Sequence, residues 1–197
     1  MTVARRAASL VAAAGVAVLT SFVTSVPAYA HGTGGPQPTN YEMIVHGLRP
    51  ATPGIAVSTS ADGQSLELEN RGAREVLVLG YQHEPYLRIG PAGVWQNQRS
   101  PAVFLNRSFA PNAQAPATYD ADAPPDWAHI SNTPIARWHD HRTHWMGTSP
   151  PAGVRHDPGR RQIVLDNWHV PLRIAGHKVA IVGDAIWVPG PDPWPGL

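Results

Sequence analysis

Apolar and polar residues alternate with a period of two over most of this chain, the signature of half-buried β-strands. Ile55, Val57 and Thr59 alternate with smaller residues, and Leu66 and Leu68 alternate with Glu67 and Glu69. Asp62-Gly63 between them is a turn signal, and Asn70-Arg71-Gly72 is the next. Val76-Leu77-Val78-Leu79 is an unbroken apolar run, as expected of a strand covered on both faces. Short strands are predicted at Tyr86–Ile89 and Gly93–Trp95, flanking Gly90-Pro91, and at Ala102–Leu105. Further on, Trp127–Ile130 and Ile135–Met146 follow. The last part reads as strands at Gln162–Leu165 and Val170–Ile174, a turn at Ala175-Gly176, and a strand at Val179–Val188. That final strand places Val179, Ile181, Ala185 and Trp187 on one face.

No stretch within this β region carries a helical period. Strands at this spacing, broken by Gly, Pro and Asn, predict an all-β, immunoglobulin- or cupredoxin-like β-sandwich. Long Pro/Gly-rich loops interrupt it. Phe109–Asp126 is poor in apolar residues, and Gly147–Gly159 is a second such loop. Each flank of the first loop is too small to hold a core alone, so a single domain over residues 41–188 is expected. It is preceded by an extended arm at 31–40 and followed by a Pro-rich tail at 189–197.

Residues 1–30 read as a secretory signal peptide. Arg5 and Arg6 form its positive start, Ala7–Val26 its apolar run, and Ala28-Tyr29-Ala30 a small-x-small cleavage triplet. The apolar run is also long enough to span a membrane, and the triplet favours cleavage over an uncleaved anchor. Cleavage after Ala30 would leave a secreted, extracytoplasmic chain beginning at His31, with no membrane span in the mature part. Losing Arg5 and Arg6 takes the basic residues from 15 to 13 against 14 acidic ones, a formal charge of −1. That balance offers no footprint for nucleic acid or anionic lipid. Cysteine is absent, so the fold rests on its core, and thiolate metal sites are excluded.

The densest chemistry lies in Trp138-His139-Asp140-His141-Arg142-Thr143-His144-Trp145-Met146. Buried polar groups must be paired, so such a stretch is either a metal site or a polar network. On a strand, His139 and His141 would share one face, with Asp140, Arg142, His144 and Met146 on the other. In a turn, His141 and His144 become neighbours. His141 belongs to both arrangements. Imidazoles with a thioether suit copper better than magnesium or calcium. In the network alternative, Asp140 and Arg142 pair with Glu84 and Arg88, and the indoles pack over arginine planes.

His31 is the second feature. A terminal histidine offers its amine and its ring to one metal, and a third imidazole would complete an N3 set suited to Cu(II). The metal ligands expected are therefore His31, His139, His141, His144 and Met146. Asp140, Glu84 and Arg142 are expected to orient them from behind.

This layout, a signal peptide, a mature His31 and a cysteine-free β-sandwich, resembles secreted bacterial copper-resistance (CopC-like) domains. More distantly it looks like copper-dependent polysaccharide monooxygenases. Only the His31 position carries over. The copper-resistance pattern pairs its terminal histidine with a later Asp-x-His, where this chain has His139-Asp140-His141. Separately, Gly80-Tyr81-Gln82-His83-Glu84-Pro85-Tyr86-Leu87-Arg88-Ile89, Trp95-Gln96-Asn97, Ser100-Pro101-Ala102 and the Trp138–Met146 motif are similar to a family of uncharacterised secreted or membrane-tethered bacterial proteins. That resemblance implies location and no activity.

Two classes of function follow. One is a secreted copper-binding carrier or sensor in copper homeostasis, meeting a metal ion and a cell-envelope protein. The other is an extracellular structural or interaction module without metal. A copper-dependent oxidative enzyme is a minor third. No hydrolase or phosphate-binding motif is present: Gly-x-Ser-x-Gly, a phosphate loop and His-Glu-x-x-His are all missing. No catalytic residue or organic cofactor is expected.

Overall fold

The protein is described by a computed structural model covering residues 40–190, apart from positions 62, 109 and 111. The expected signal peptide at residues 1–30, His31 with its arm as far as residue 39, and the tail from residue 191 lie outside the described residues.

Strand β1 runs Tyr41–Arg49, β2 Ile55–Thr59, β3 Leu66–Asn70, β4 Val76–Leu79, β5 Pro85–Gly90 and β6 Gly93–Asn97. After a short helix α1 at Pro101–Leu105 come β7 (Trp127–Ser131) and β8 (Ile135–Trp138). A single 3-10 turn at His141–Thr143 and a short helix α2 at Ala152–His156 lead to β9 (Gln162–Ile174) and β10 (His177–Trp187). These strands form two antiparallel sheets packed as a sandwich. The larger has the order β1-β10-β9-β4-β5-β6-β7, the smaller β2-β3-β8.

The alternating residues do what their period demands. In β3, Leu66 and Leu68 are fully buried while Glu67 and Glu69 face outward. Glu67 lies opposite Arg137 of β8 and binds it, a cross-strand pair on the outer surface. On the larger sheet the register aligns Ile174, Val76, Ile89 and Val94 in one row across four strands. Leu172, Val78 and Leu87 form the next row. Both rows are buried and pack in one core with Leu66, Leu68, Ala136 and Trp138 of the smaller sheet. Buried Asn70 ends β3: its Nδ2 donates to the Arg74 and Ile89 carbonyls at 2.8 Å each, and its Oδ1 accepts from the Gly72 N–H. The turn signal read at Asn70-Arg71-Gly72 is therefore closed by the side chain that starts it.

Two expectations are corrected. Ala102–Leu105 is helical. Ser100 caps the helix by accepting from the Ala102 N–H, and Pro101 sits at its start, so local capping outweighs the β-like pattern. The segments Gln162–Leu165 and Val170–Ile174 are one strand, β9, carried through an irregular register where Asn167 has φ 50 and donates its N–H to Asp184. Gly183 stands in β10 opposite this region. A Cβ there would lie 2.0 Å from the Ile44 carbonyl oxygen and 2.3 Å from the Trp168 ring, so only glycine lets β1 close on β10. The Ala175-Gly176 turn is as read, with both residues at positive φ. Among the described residues, no helix is long and apolar enough to cross a membrane.

Candidate functional site

Strand β8 ends at Trp138. His139 and Asp140 continue the chain, and His141–Thr143 then coil into the 3-10 turn, which packs on β9 and β10. Asp140 causes that turn: its Oδ1 accepts the Arg142 N–H at 3.1 Å, and its main-chain carbonyl accepts both the Thr143 N–H and the Thr143 hydroxyl. Beyond Trp138 the stretch is therefore a turn and not a strand, and its side chains sort into two groups.

The first group is a buried ion pair with a full set of partners. Asp140 is completely buried. It accepts from Trp138 Nε1 at 3.0 Å, from Arg142 Nε at 2.8 Å and from Arg142 Nη2 at 2.8 Å. Arg142 reaches back to the β4–β5 turn, donating to the Gly80 and Leu79 carbonyls at 3.2 and 3.1 Å. Its guanidinium stands 4.7 Å from the Tyr81 ring centroid. Burial alone would raise the Asp140 carboxyl, but the Arg142 guanidinium and the Trp138 N–H hold it below the usual carboxylate range. Burial likewise opposes the Arg142 charge, and the Asp140 carboxylate outweighs it. Tyr81, pushed up by its burial, stays a neutral donor to Asn106 Oδ1 and accepts the His141 N–H at 2.9 Å.

Glu84 lies in the same β4–β5 turn but does not bond Arg142 or Arg88. It is buried, accepting from Ser100 Oγ at 2.6 Å and from the Gln82 N–H at 2.9 Å. Arg88 pairs with Glu75, and its guanidinium lies between Trp95 and Trp127 on the larger sheet. The packing of indoles over an arginine occurs there, away from the Trp138–Met146 stretch. Gly80 is small because a Cβ would fall 1.8 Å from Glu84 Oε1.

The second group is the three imidazoles. His139 and His144 stack with ring centroids 4.4 Å apart and planes 20° from parallel. His141 meets His139 edge-on at 5.3 Å. Each ring is fixed through one nitrogen on a main-chain carbonyl. His139 Nδ1 and His144 Nε2 both donate to Gln64 O, at 2.9 and 3.1 Å, and His141 Nε2 donates to Ser108 O. A carbonyl can only accept, so each of these three ring nitrogens carries a hydrogen. Burial pulls His144 down to about 4, with His139 adding to the effect. The ring is neutral at ordinary pH and available as a donor atom.

The strand reading had paired His139 with His141, and the turn reading His141 with His144. The structure brings all three together, with His139 in the middle. Met146 follows beyond the turn, half-buried. Ring nitrogens held on carbonyls are what metal-ligating histidines commonly show behind the metal. Among the described residues, however, no group of three or more His, Asp or Glu side chains forms a ready-made metal site. The role of Gln64 O as the common anchor had no sequence signal, since any residue supplies a carbonyl.

The fold and site define an antiparallel β-sandwich with a buried Asp–Arg pair beside a cluster of three histidines. Comparison with protein-family models, with curated proteins and with solved structures finds no match.

Proposed function

We propose that this protein is a secreted copper-binding carrier or sensor that uses the histidine cluster as its ligand-bearing surface. The observation that carries the reading is the anchoring of His139, His141 and His144, each by one nitrogen on a main-chain carbonyl. Pre-oriented imidazoles in a cysteine-free protein suit Cu(II). The described residues hold no ready three-ligand group, so a further donor is required. His31, at the expected mature N-terminus, is the candidate, and its amine and ring would supply two nitrogens. Asp140 and Arg142 would keep the ligand-bearing turn in place, and Glu84 would support the adjoining β4–β5 turn. A cell-envelope protein is the expected recipient of the ion.

The test is a Cu(II) titration of the mature, metal-free protein against a His139→Ala/His141→Ala double variant, followed by electron paramagnetic resonance. One tightly bound copper with nitrogen hyperfine structure, lost in the double variant, is expected. An absence of stoichiometric copper would end the proposal. An unchanged spectrum after one residue is added before His31 would remove the terminal chelate from it.

The Asp140–Arg142 network favours a second reading, an extracellular structural or interaction module whose Trp138–Met146 stretch is a brace. Under that reading the double histidine variant alters stability and no metal binds.

A further inference from the structure

Strand β8 pairs with β3 in a register that sets Trp138 opposite Leu66. The chain leaving β8 therefore runs past the residues that precede β3, and Gln64 is among them. Its carbonyl oxygen receives the His139 Nδ1–H at 2.9 Å and the His144 Nε2–H at 3.1 Å. A carbonyl oxygen has two lone pairs, so one main-chain atom can hold both rings, and both follow it wherever the β2–β3 turn places it. His141 does not share this anchor, since its Nε2 donates to Ser108 O in another loop.

Ser60 shapes that turn. It is buried at the end of β2 and bonds across the turn through three of its groups. Its N–H donates to Ser65 O at 2.8 Å, its Oγ accepts the Ser65 N–H at 3.0 Å, and its carbonyl accepts the Gly63 N–H at 2.8 Å. Gly63 supplies the positive φ of 71 with which the chain returns. On the side of β1, Thr59 ties β2 to that strand by donating its hydroxyl to the Met43 carbonyl at 3.2 Å. A groove of about 630 Å³ lies between Tyr41–Val45 and the turn. The turn is therefore held by its own hydrogen bonds more than by packing on β1, and Ser60 Oγ is the side-chain member of that set.

We propose that Ser60 is a positioning residue for the histidine cluster: through the β2–β3 turn it places the Gln64 carbonyl, and that carbonyl places His139 and His144. The inference rests on the reading of the cluster as the copper-bearing surface, and it makes a turn that carries no ligand the part of the fold that sets metal affinity. A displaced turn moves two rings together and leaves the third on Ser108, so it changes the spacing between the His139–His144 stack and His141. A metal shared across the cluster reads that spacing. Groups behind metal-bound histidines alter affinity by about 10–100-fold, and Ser60 acts one bond further back, so the low end of that range applies.

The test uses ring-nitrogen NMR of the histidines in the metal-free protein, followed by Cu(II) titration. Ser60→Ala removes only the Oγ acceptor and leaves the two main-chain bonds. It should shift the His139 and His144 ring signals while His141 stays as in the wild type, and it should weaken Cu(II) binding about ten-fold. Gly63→Val approaches the same turn from the backbone. A Cβ at Gly63 meets open space, so the change acts through the positive φ, which β-branched residues resist, and it should move the same two rings. Ser58→Ala, exposed on β2, should change nothing. If Ser60→Ala fails to fold, Gly63→Val decides alone. His139 and His144 signals left in place, or all three histidines shifting alike as a general loss of structure would make them, would overturn the proposal. So would an unchanged copper affinity in a variant whose rings have moved. A wild type that binds no copper defeats the copper reading, and with it the claim that this turn sets metal affinity, while the metal-free ring signals still decide whether Ser60 places the rings.

Discussion

Replacing Asp140 with asparagine is the most informative single change outside the histidines. The substitution is nearly isosteric, so any loss reflects charge and hydrogen bonding. Asp140 is fully buried and receives four N–H groups: Trp138 Nε1 and the Arg142 main-chain N, Nε and Nη2. An asparagine can accept at one atom only. Its NH2 would point at donors, and the Arg142 guanidinium would be left largely buried without its counter-ion. Breaking a buried pair from one side costs about 3–5 kcal/mol. For a domain of this size that is roughly 6–20 °C in Tm. Chemical denaturation of the wild type, Asp140→Asn, Arg142→Met and the double variant gives the coupling directly. The double variant should be more stable than Asp140→Asn, because it removes the stranded charge together with its partner. The pH dependence has a definite sign. The Asp140 carboxyl is held low in the folded protein, so its contribution is complete above the unfolded value near ~4 and is lost as pH falls through the folded value. The gap between wild type and Asp140→Asn should therefore narrow in acid. A loss below about 1 kcal/mol at neutral pH, or a gap that does not narrow, would refute the view that this pair holds the turn in place.

His144 titrates near about 4 when folded and near 6.5 when unfolded, so between those values the unfolded chain binds more protons. Stability of the metal-free protein should fall as pH drops from about 6.5 to about 4, and His144→Gln should flatten that slope; an NMR titration placing the His144 ring near its ordinary value would contradict this. Gly80→Ala drives a methyl into the Glu84 carboxylate and should cost about 1–3 kcal/mol in a denaturation midpoint, with Glu84 pushed off Ser100. Leu66→Ala, at a fully buried position of the smaller sheet, should cost about 2–5 kcal/mol with the m-value unchanged.

Much of the sandwich was legible in the sequence because burial on one face writes a period of two into the chain. Leu66 and Leu68 against Glu67 and Glu69 show this directly, and so do the turns at Asn70-Arg71-Gly72 and Ala175-Gly176. Reading failed where a local cap or a backbone irregularity outweighed the pattern. At Ser100-Pro101 the cap starts a helix through an apolar run that by itself reads as a strand. The join within β9 depends on Asn167 meeting Asp184 of another strand, which no local window contains.

The sequence by itself determined which chemistry is concentrated in Trp138–Met146, and that thiolates have no part in it. Alternation and turn residues, all local properties, also determined that the chain builds β-sheets. Tertiary structure decided how that chemistry is divided. Asp140 turns inward because Arg142 can reach the Leu79 and Gly80 carbonyls, and the three imidazoles gather because Gln64 and Ser108, far away in sequence, present carbonyls to them. Main-chain carbonyls carry no residue identity. A site anchored on them is therefore set by where the backbone passes, which only the folded chain fixes.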